Sequence, residues 1–116
     1  MRMTAEEMTE SGFRDLKIEE IQKLIDSGEY EVIDVREGWE RESGHIPGSR
    51  HVVLNQILMN PTAHKFTDKT IFACEVGERS AVASEMAVAL GAKDVVNFRG
   101  GHKAWREAGK PMEKGL

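Results

Sequence analysis

Short apolar runs alternate with longer amphipathic segments along this chain of 116 residues. β-Branched residues dominate the runs, which predicts strands, whereas the segments between them repeat apolar residues at helical spacing. Strands that alternate with helices form a mostly parallel sheet, because each helix returns the chain across one face. The alternation therefore predicts an α/β domain with helices on both faces of the sheet. The predicted strands are residues 13–16, 31–36, 51–54, 70–73 and 94–98, and the predicted helices are residues 18–27, 37–42, 55–59, 81–90 and 102–108.

The length of the chain limits the number of domains. A chain of this size builds one modest core and is too short for two. The sequence contains no internal repeat, low-complexity tract or linker, so we predict a single domain over residues 1–116. Residues 1–12 lack periodicity and are expected to form a flexible lead-in to it.

The charge balance and the single cysteine limit the partners and the compartment. The formal net charge is −4, and nucleic acids and anionic membranes bind basic surfaces, so we expect neither as a partner. The sequence has no run of 18 apolar residues, and Glu6, Glu7 and Glu10 are unlike the basic start of a secretory signal. One cysteine cannot form an internal disulfide, which favours a reducing, cytoplasmic location.

The only cysteine, Cys74, directly follows the predicted strand 70–73. That edge of the sheet is where open α/β folds bind ligands. A loop over residues 74–79 leads from the cysteine into the alanine-rich helix. Backbone N–H groups of such a loop, together with the positive end of the helix, stabilise an anion. Cys74 is thus placed to act as a thiolate.

The alternative is that Cys74 only packs in the core, because a lone cysteine after an apolar run is more often a small buried residue than a nucleophile. Three neighbours favour chemistry. Gly77 permits an unusual backbone conformation in the loop, Arg79 offers a cationic group next to the sulfur, and Ser80 lies near the helix start. We therefore interpret Cys74 as a candidate nucleophile.

Four motifs in order make the chain resemble the rhodanese domain, specifically the single-domain sulfurtransferases. None is specific alone, but together they extend from about residue 12 to residue 112. The resemblance implies a three-layer α/β/α fold with a five-stranded, mainly parallel sheet, and a catalytic cysteine at Cys74. The motifs are Asp34-Val35-Arg36-Glu37; Glu42 followed by Gly44-His45-Ile46-Pro47-Gly48-Ser49; the loop from Cys74 to Ser80; and Gly100-Gly101-His102-Lys103-Ala104-Trp105 followed by Ala108-Gly109-Lys110-Pro111.

The resemblance also implies a reaction. The Cys74 thiolate would take the sulfane sulfur of a donor such as thiosulfate, hold it as a persulfide and pass it to cyanide or a thiol. The expected partners are thus a small-molecule sulfur donor and a cyanide or thiol acceptor, with a protein thiol as a further candidate. No cofactor and no metal is needed. The residues expected to bind the substrate, through loop N–H groups and the arginine, are Glu75, Val76, Gly77, Glu78, Arg79 and Ser80.

Two alternatives to this reaction remain. The related phosphatases and arsenate reductases have a loop one residue longer, whereas four residues separate Cys74 from Arg79 here. By resemblance, the shorter loop suits one sulfur atom better than a tetrahedral phosphate. The second alternative is a non-catalytic binding or regulatory module with the same fold. Such modules commonly lack the cysteine that this chain retains.

Four further residues are predicted to support the loop rather than to react. Asp34 and Arg36 end the strand beside Cys74. We expect Asp34 to accept hydrogen bonds from the active loop and Arg36 to pair with Glu42 or a neighbour; a purely structural ion pair is the alternative. His45 lies in a Gly-His-Ile-Pro-Gly turn and is interpreted as structural.

The other histidines, His51, His64 and His102, have no partner that the sequence makes visible. Their spacing matches no common metal site, so we predict none. Gly100 and Gly101 are expected to permit close packing beside the active loop.

Glu75 and Glu78 depart from the family that the chain resembles, whose members that use thiosulfate well often have basic or neutral residues between the cysteine and the arginine. Their charges would repel an anionic donor. We therefore predict activity with thiosulfate at a high KM.

Overall fold

The computed structural model of this protein describes residues 8–116. Its centre is a five-stranded sheet in the spatial order β1-β5-β4-β2-β3, and every neighbouring pair is parallel. The predicted five-stranded α/β fold is therefore confirmed. The strands are β1 (Arg14–Leu16), β2 (Glu31–Asp34), β3 (Arg50–His51), β4 (Thr70–Ala73) and β5 (Val95–Phe98).

Helices cover both faces of the sheet, which gives three layers. The side chains of α1 and α5 pack into the core on one face, and those of α3 and α4 pack into the core on the other. The helices are α1 (Ile18–Asp26), α2 (Gly38–Ser43), α3 (Leu54–Met59), α4 (Glu78–Ala89) and α5 (Gly101–Glu107), with a short 3-10 helix at Pro61–Ala63.

Strand β4 lies in the middle of the sheet and separates the two cores. The side chains of β4 and of Cys74, which directly follows it, alternate between the two cores: Ile71 and Ala73 pack on the α1 and α5 side, Phe72 and Cys74 on the α3 and α4 side. All four residues are fully buried, which explains why the sequence shows a continuous apolar run here. Asp34 pairs in register with Ala73, so β2 and β4 end side by side. The residues that follow these two strands therefore meet at one edge.

Some predicted boundaries are wrong. Helix α4 begins at Glu78, so the loop that was expected over residues 74–79 is shorter. The first turn of α4 is polar, so the repeat of apolar residues that predicts the helix does not extend to it. Strand β3 has only two residues because it pairs with β2 alone and the next helix already begins at Leu54.

Of the predicted lead-in, residues 1–7 lie outside the described residues. The part that is described forms a turn, in which the Thr9 N–H donates to the Phe13 carbonyl at 2.9 Å. Gly12 closes the turn by donating to the Thr9 carbonyl at 3.1 Å. Over residues 8–116, no helix combines the length and the apolar character that crossing a membrane requires.

Candidate active site

Cys74 lies between the carboxyl end of β4 and the amino end of α4. Its Sγ accepts hydrogen bonds from the Gly77 N–H at 3.1 Å and from the Ser80 hydroxyl at 3.3 Å. Gly77 is the N-cap residue of α4, so the sulfur lies at the positive end of a helix of 12 residues. These donors and the helix dipole stabilise negative charge on the sulfur. Cys74 has no exposed surface, so local opening must precede contact with a substrate.

The amino end of α5 holds the backbone of the active loop. The His102 N–H donates to the Cys74 carbonyl at 2.9 Å, and the Lys103 N–H donates to the Glu75 carbonyl at 3.0 Å. A Cβ at Gly101 would lie 2.5 Å from both carbonyl oxygens, so only glycine allows this approach. The predicted close packing at Gly101 is confirmed, and it fixes the orientation of the first two loop peptides.

Asp34 and Arg36 form a buried ion pair beneath the loop. The Asp34 carboxylate accepts hydrogen bonds from the backbone N–H, Nε and Nη2 of Arg36, each at 3.0 Å. Burial alone would raise the pKa of Asp34, but the hydrogen bonds from Arg36, together with the charges of His102 and Arg36, outweigh burial and lower that pKa. Arg36 also donates to the Gly44 carbonyl at 2.7 Å, which ties the pair to the turn after α2.

The ion pair between Asp34 and Arg36 is the alternative that the sequence left open, whereas two of the expected contacts are not formed. Asp34 accepts its hydrogen bonds from Arg36, so the prediction that the active loop donates to it is wrong. Arg36 pairs with Asp34 and, at 3.5 Å, with Glu75 rather than with Glu42. Glu42 is exposed, and its carbonyl accepts from the Gly115 N–H at 3.0 Å. A buried carboxylate only two residues away is the closer partner for a buried guanidinium.

Arg79 directs its guanidinium to Glu40 rather than to Cys74. The two groups form a bidentate pair with distances of 2.7 and 2.8 Å. The hydrogen bonds lower the pKa of Glu40 and raise the pKa of Arg79. The pair connects α2 to α4 beside the active loop. Sequence reasoning chose Glu42 in the charged segment 37–42 and missed Glu40, because the sequence does not show which acidic residue of this segment faces Arg79.

Glu75 directs its carboxylate to two arginines. It accepts from Arg106 at 3.1 and 3.2 Å, and Arg36 Nη1 lies 3.5 Å away. The hydrogen bonds raise the pKa of Arg106. The repulsion that Glu75 exerts on an anion is therefore reduced by its neighbours. Val76 and Glu78, the other loop residues predicted to bind a substrate, are exposed.

His45 and His51 both contact backbone carbonyls. The buried His45 has Nδ1 at 3.1 Å from the Arg41 carbonyl, and its backbone forms hydrogen bonds with Glu113 in both directions. These contacts support the structural interpretation of His45. His51 Nε2 lies 2.7 Å from the Arg36 carbonyl. Within residues 8–116, no three His, Cys, Asp or Glu side chains are placed to hold a metal ion.

His102 is the buried residue at the site that sequence reasoning missed. Its Nδ1 lies 2.9 Å from the Cys74 carbonyl and must donate to it. Its Nε2 lies 3.8 Å from Asp34 Oδ2 and has no hydrogen-bond partner among the described residues. The sequence did contain a signal of its burial, because His102 lies three residues before Trp105 and both side chains share one face of the helix. Trp105 is buried in the core on the α1 and α5 side of the sheet.

The buried His102 is expected to make stability depend on pH. Burial lowers its pKa, so below about pH 6.5 the unfolded chain binds a proton more readily than the folded protein does. The free energy of unfolding is then highest above about pH 6.5. It falls as the pH decreases below this value, by up to about 1.4 kcal/mol per pH unit. Urea unfolding between pH 5 and 8 measures this slope.

Replacing the imidazole ring of His102 tests whether this residue causes the pH dependence of stability. His102→Phe should flatten the curve between pH 5 and 6.5, because phenylalanine cannot bind the proton. His64→Gln, which removes a histidine outside the site, serves as the control. Equal slopes in His102→Phe and the wild type would contradict the prediction.

Comparison with known proteins agrees with this geometry. The profile of the rhodanese-like domain matches residues 17–108. The chain is 33% identical over 100 residues to a mouse protein named thiosulfate sulfurtransferase/rhodanese-like domain-containing protein 3, covering 74% of this chain and 64% of that protein. It thus spans less than two thirds of the length of that relative.

Two other comparisons cover nearly the whole of the matched protein. The human thiosulfate:glutathione sulfurtransferase is 27% identical over 111 residues, which cover 84% of this chain and 96% of that one. The crystal structure of a rhodanese-related protein from Thermoplasma volcanium superposes with a TM-score of 0.75 at 29% identity, covering 86% and 97% of the two chains. The sheet, the cysteine loop and these similarities agree: the chain belongs to the rhodanese-like domain family, among relatives named sulfurtransferases.

Proposed function

We propose that this protein is a cytoplasmic sulfurtransferase that carries sulfur as a persulfide on Cys74. The Cys74 thiolate attacks the outer sulfur of a donor such as thiosulfate; the S–S bond of the donor breaks and sulfite leaves with its electron pair. A nucleophilic acceptor, cyanide or a thiol, then attacks the outer sulfur of the persulfide. That step breaks the S–S bond at Cys74 and regenerates the thiolate.

The observation that carries the proposal is the set of donors around the sulfur. The Gly77 N–H at 3.1 Å and the Ser80 hydroxyl at 3.3 Å meet Sγ at the positive end of α4. In the same way, the N–H groups of the loop are proposed to stabilise the negative outer sulfur of the persulfide. The chain has no second cysteine, so the sulfur must leave to an external acceptor.

The relatives support the same choice of substrates. The name of the mouse protein contains thiosulfate, and that of the human protein contains thiosulfate and glutathione. A thiol acceptor is therefore proposed beside cyanide, and a protein thiol is a further candidate. A phosphatase is disfavoured by the four-residue spacing between Cys74 and Arg79. A non-catalytic module is disfavoured because Cys74 retains donors to its sulfur.

Intact-protein mass spectrometry tests the cycle. After incubation with thiosulfate, the wild-type protein should gain the mass of one sulfur atom, and cyanide should remove it with formation of thiocyanate. Cys74→Ser is the control and should gain nothing. An adduct on both proteins, or no adduct on a folded and reduced wild type, would overturn the proposal.

The charge of Glu75 is expected to weaken the binding of thiosulfate. Glu75→Gln frees Arg106 and removes a negative charge beside Cys74, so the KM for the dianion should fall. We expect a decrease of about threefold at low ionic strength, the size of effect that one partly exposed charge produces. Initial rates of thiocyanate formation at varied thiosulfate measure it.

A distant substitution separates a local effect from the change in net charge. Glu29→Gln removes the same charge from an exposed pair with Lys69 and should leave the KM unchanged. Salt provides the second control, because the Debye length falls to about 3 Å at 1 M and the effect of Glu75→Gln should then disappear. A KM that Glu75→Gln does not lower at low salt would contradict the argument.

A further inference from the structure

The side chain of His102 fixes the direction of the Cys74 carbonyl. Its Nδ1 donates to that oxygen at 2.9 Å, and the backbone N–H of the same residue donates to it at 2.9 Å. A carbonyl oxygen has two lone pairs, so this one has its full number of hydrogen bonds. His102 is fully buried, and therefore water does not compete for either contact. One buried residue thus holds the peptide that joins Cys74 to Glu75.

The direction of this carbonyl decides where the next N–H group points. Every peptide bond between the described residues is trans, and the C=O and N–H of a trans peptide point in opposite directions. The Cys74 carbonyl is directed to α5, so the Glu75 N–H points away from α5. The side chain of Cys74 packs on the face of the sheet opposite α5. The Glu75 N–H is therefore directed to the side of the loop on which the sulfur lies.

The next two N–H groups of the loop point to the same side. The Glu75 carbonyl accepts from the Lys103 N–H at 3.0 Å, so the Val76 N–H also points away from α5. The Gly77 N–H donates to the sulfur at 3.1 Å. Successive N–H groups that converge in this way form a site for negative charge. The Glu75 N–H belongs to this set as long as His102 holds its peptide.

Packing alone does not require a histidine at position 102. Its Nε2 has no hydrogen-bond partner among the described residues and lies 3.8 Å from Asp34 Oδ2, beyond hydrogen-bond distance. A buried polar atom without a partner costs free energy, and an apolar ring of similar shape would avoid this cost. Within residues 8–116, the imidazole forms one hydrogen bond, from Nδ1 to the Cys74 carbonyl. This hydrogen bond is what the imidazole adds to the site.

We propose that His102 is a positioning residue for sulfur transfer. Its Nδ1–H holds the peptide after Cys74 in the orientation in which the Glu75 N–H donates to the outer sulfur of the persulfide. The inference rests on the proposed function, because it requires the persulfide on Cys74. The bonds that form and break are those of the proposed cycle. His102 touches none of the reacting atoms, and it neither gains nor loses a proton.

Three substitutions separate the hydrogen bond from the shape of the ring. His102→Phe keeps a ring and removes the donor. His102→Asn keeps a donor as many bonds from the backbone as Nδ1, whereas His102→Gln moves the donor one bond further out. Persulfide formation from thiosulfate, followed by intact-protein mass spectrometry, should be about tenfold slower in His102→Phe and His102→Gln, the effect of losing one hydrogen bond. His102→Asn should react within about twofold of the wild type, because its donor is retained.

Trp105→Phe is the matched control for a general loss of stability. Trp105 is buried on the same helix, and its ring N–H donates to the Pro111 carbonyl at 2.7 Å. The substitution therefore removes a hydrogen bond of the same kind that does not reach the active loop. Trp105→Phe should form the persulfide at the wild-type rate, even if urea unfolding shows that it is destabilised as much as His102→Phe.

NMR of the wild type tests the contact apart from the reaction. The nitrogen shifts of an imidazole show which nitrogen carries the proton, and Nδ1 of His102 should carry it in the reduced protein. Formation of the persulfide should then move the amide proton of Glu75 downfield, as a new hydrogen bond does. This shift should be lost in His102→Phe and retained in His102→Asn.

Four results would overturn the assignment: a proton on Nε2 and none on Nδ1, a wild-type rate in His102→Phe, equal rates in His102→Asn and His102→Gln, or a Trp105→Phe protein as slow as His102→Phe. If His102→Phe does not fold, the comparison of the asparagine and glutamine variants decides. A wild type that forms no persulfide would contradict the proposed function. The position of the ring proton is measured in the reduced protein, and it still decides whether His102 holds the loop.

Discussion

Gly77→Ala is expected to slow the formation of the Cys74 persulfide about 100-fold, the effect of losing one preorganised donor to a developing charge. Gly77 has φ of +93°, and an added Cβ would lie 2.2 Å from the backbone oxygen of Arg99. No flexible side chain can yield there, so the loop itself must move. The N–H group that now lies 3.1 Å from the sulfur moves with it. Mass spectrometry after mixing with thiosulfate measures the rate.

Gly28→Ala is the control that distinguishes the effect of the Cβ clash from the effect of placing alanine at a positive φ. Gly28 also has a positive φ, +73°, but an added Cβ would meet no atom within 4 Å. That variant should lose only about 1–2 kcal/mol, the cost of a left-handed conformation, and form the persulfide at the wild-type rate. Circular dichroism verifies that both variants fold. A Gly77→Ala protein that reacts as fast as Gly28→Ala would show that the loop donor is dispensable.

The fold was predictable because its signals are local and repeated. Ile71 and Phe72 lie in a continuous apolar run, as a strand covered on both faces requires. The helices between the strands follow from apolar spacing such as that of Ile21, Leu24 and Ile25, which pack together in one core. Parallel order then follows from the alternation. Boundaries were less certain where a polar turn opens a helix, as at Glu78.

The side-chain contacts of the site were not predictable in the same way. Glu40 and Arg79 are 39 residues apart, and Glu75 and Arg106 are 31 apart. Among 20 acidic and 16 basic side chains, only the folded backbone decides which of them meet. Cys74 could be identified as a nucleophile because a strand, a loop and a helix start lie in one continuous segment. The partner of Arg79 depends instead on how α2 packs.

Asp34→Ala is expected to destabilise the protein by about 3–5 kcal/mol, because it leaves a buried charge without its partner. Arg36 is 1% exposed, and Arg41 Nη1 lies 3.5 Å from the same carboxylate. Both guanidinium groups would keep their charge in the interior. A domain of this size is stable by only about 5–15 kcal/mol, so the loss is a large share of the total. Urea unfolding followed by circular dichroism measures it.

Glu31→Ala is the matched control, because it removes a carboxylate from the same strand. Glu31 pairs with Arg50 at 2.7 Å, but their side chains are 35% and 43% exposed. Water replaces the lost partner there, and the loss should be at most about 1 kcal/mol. The difference between the two variants measures what burial adds to an ion pair. If Asp34→Ala costs no more than Glu31→Ala, then Asp34 does not hold Arg36 and Arg41 beneath the loop, and the buried pair is not what anchors the active site.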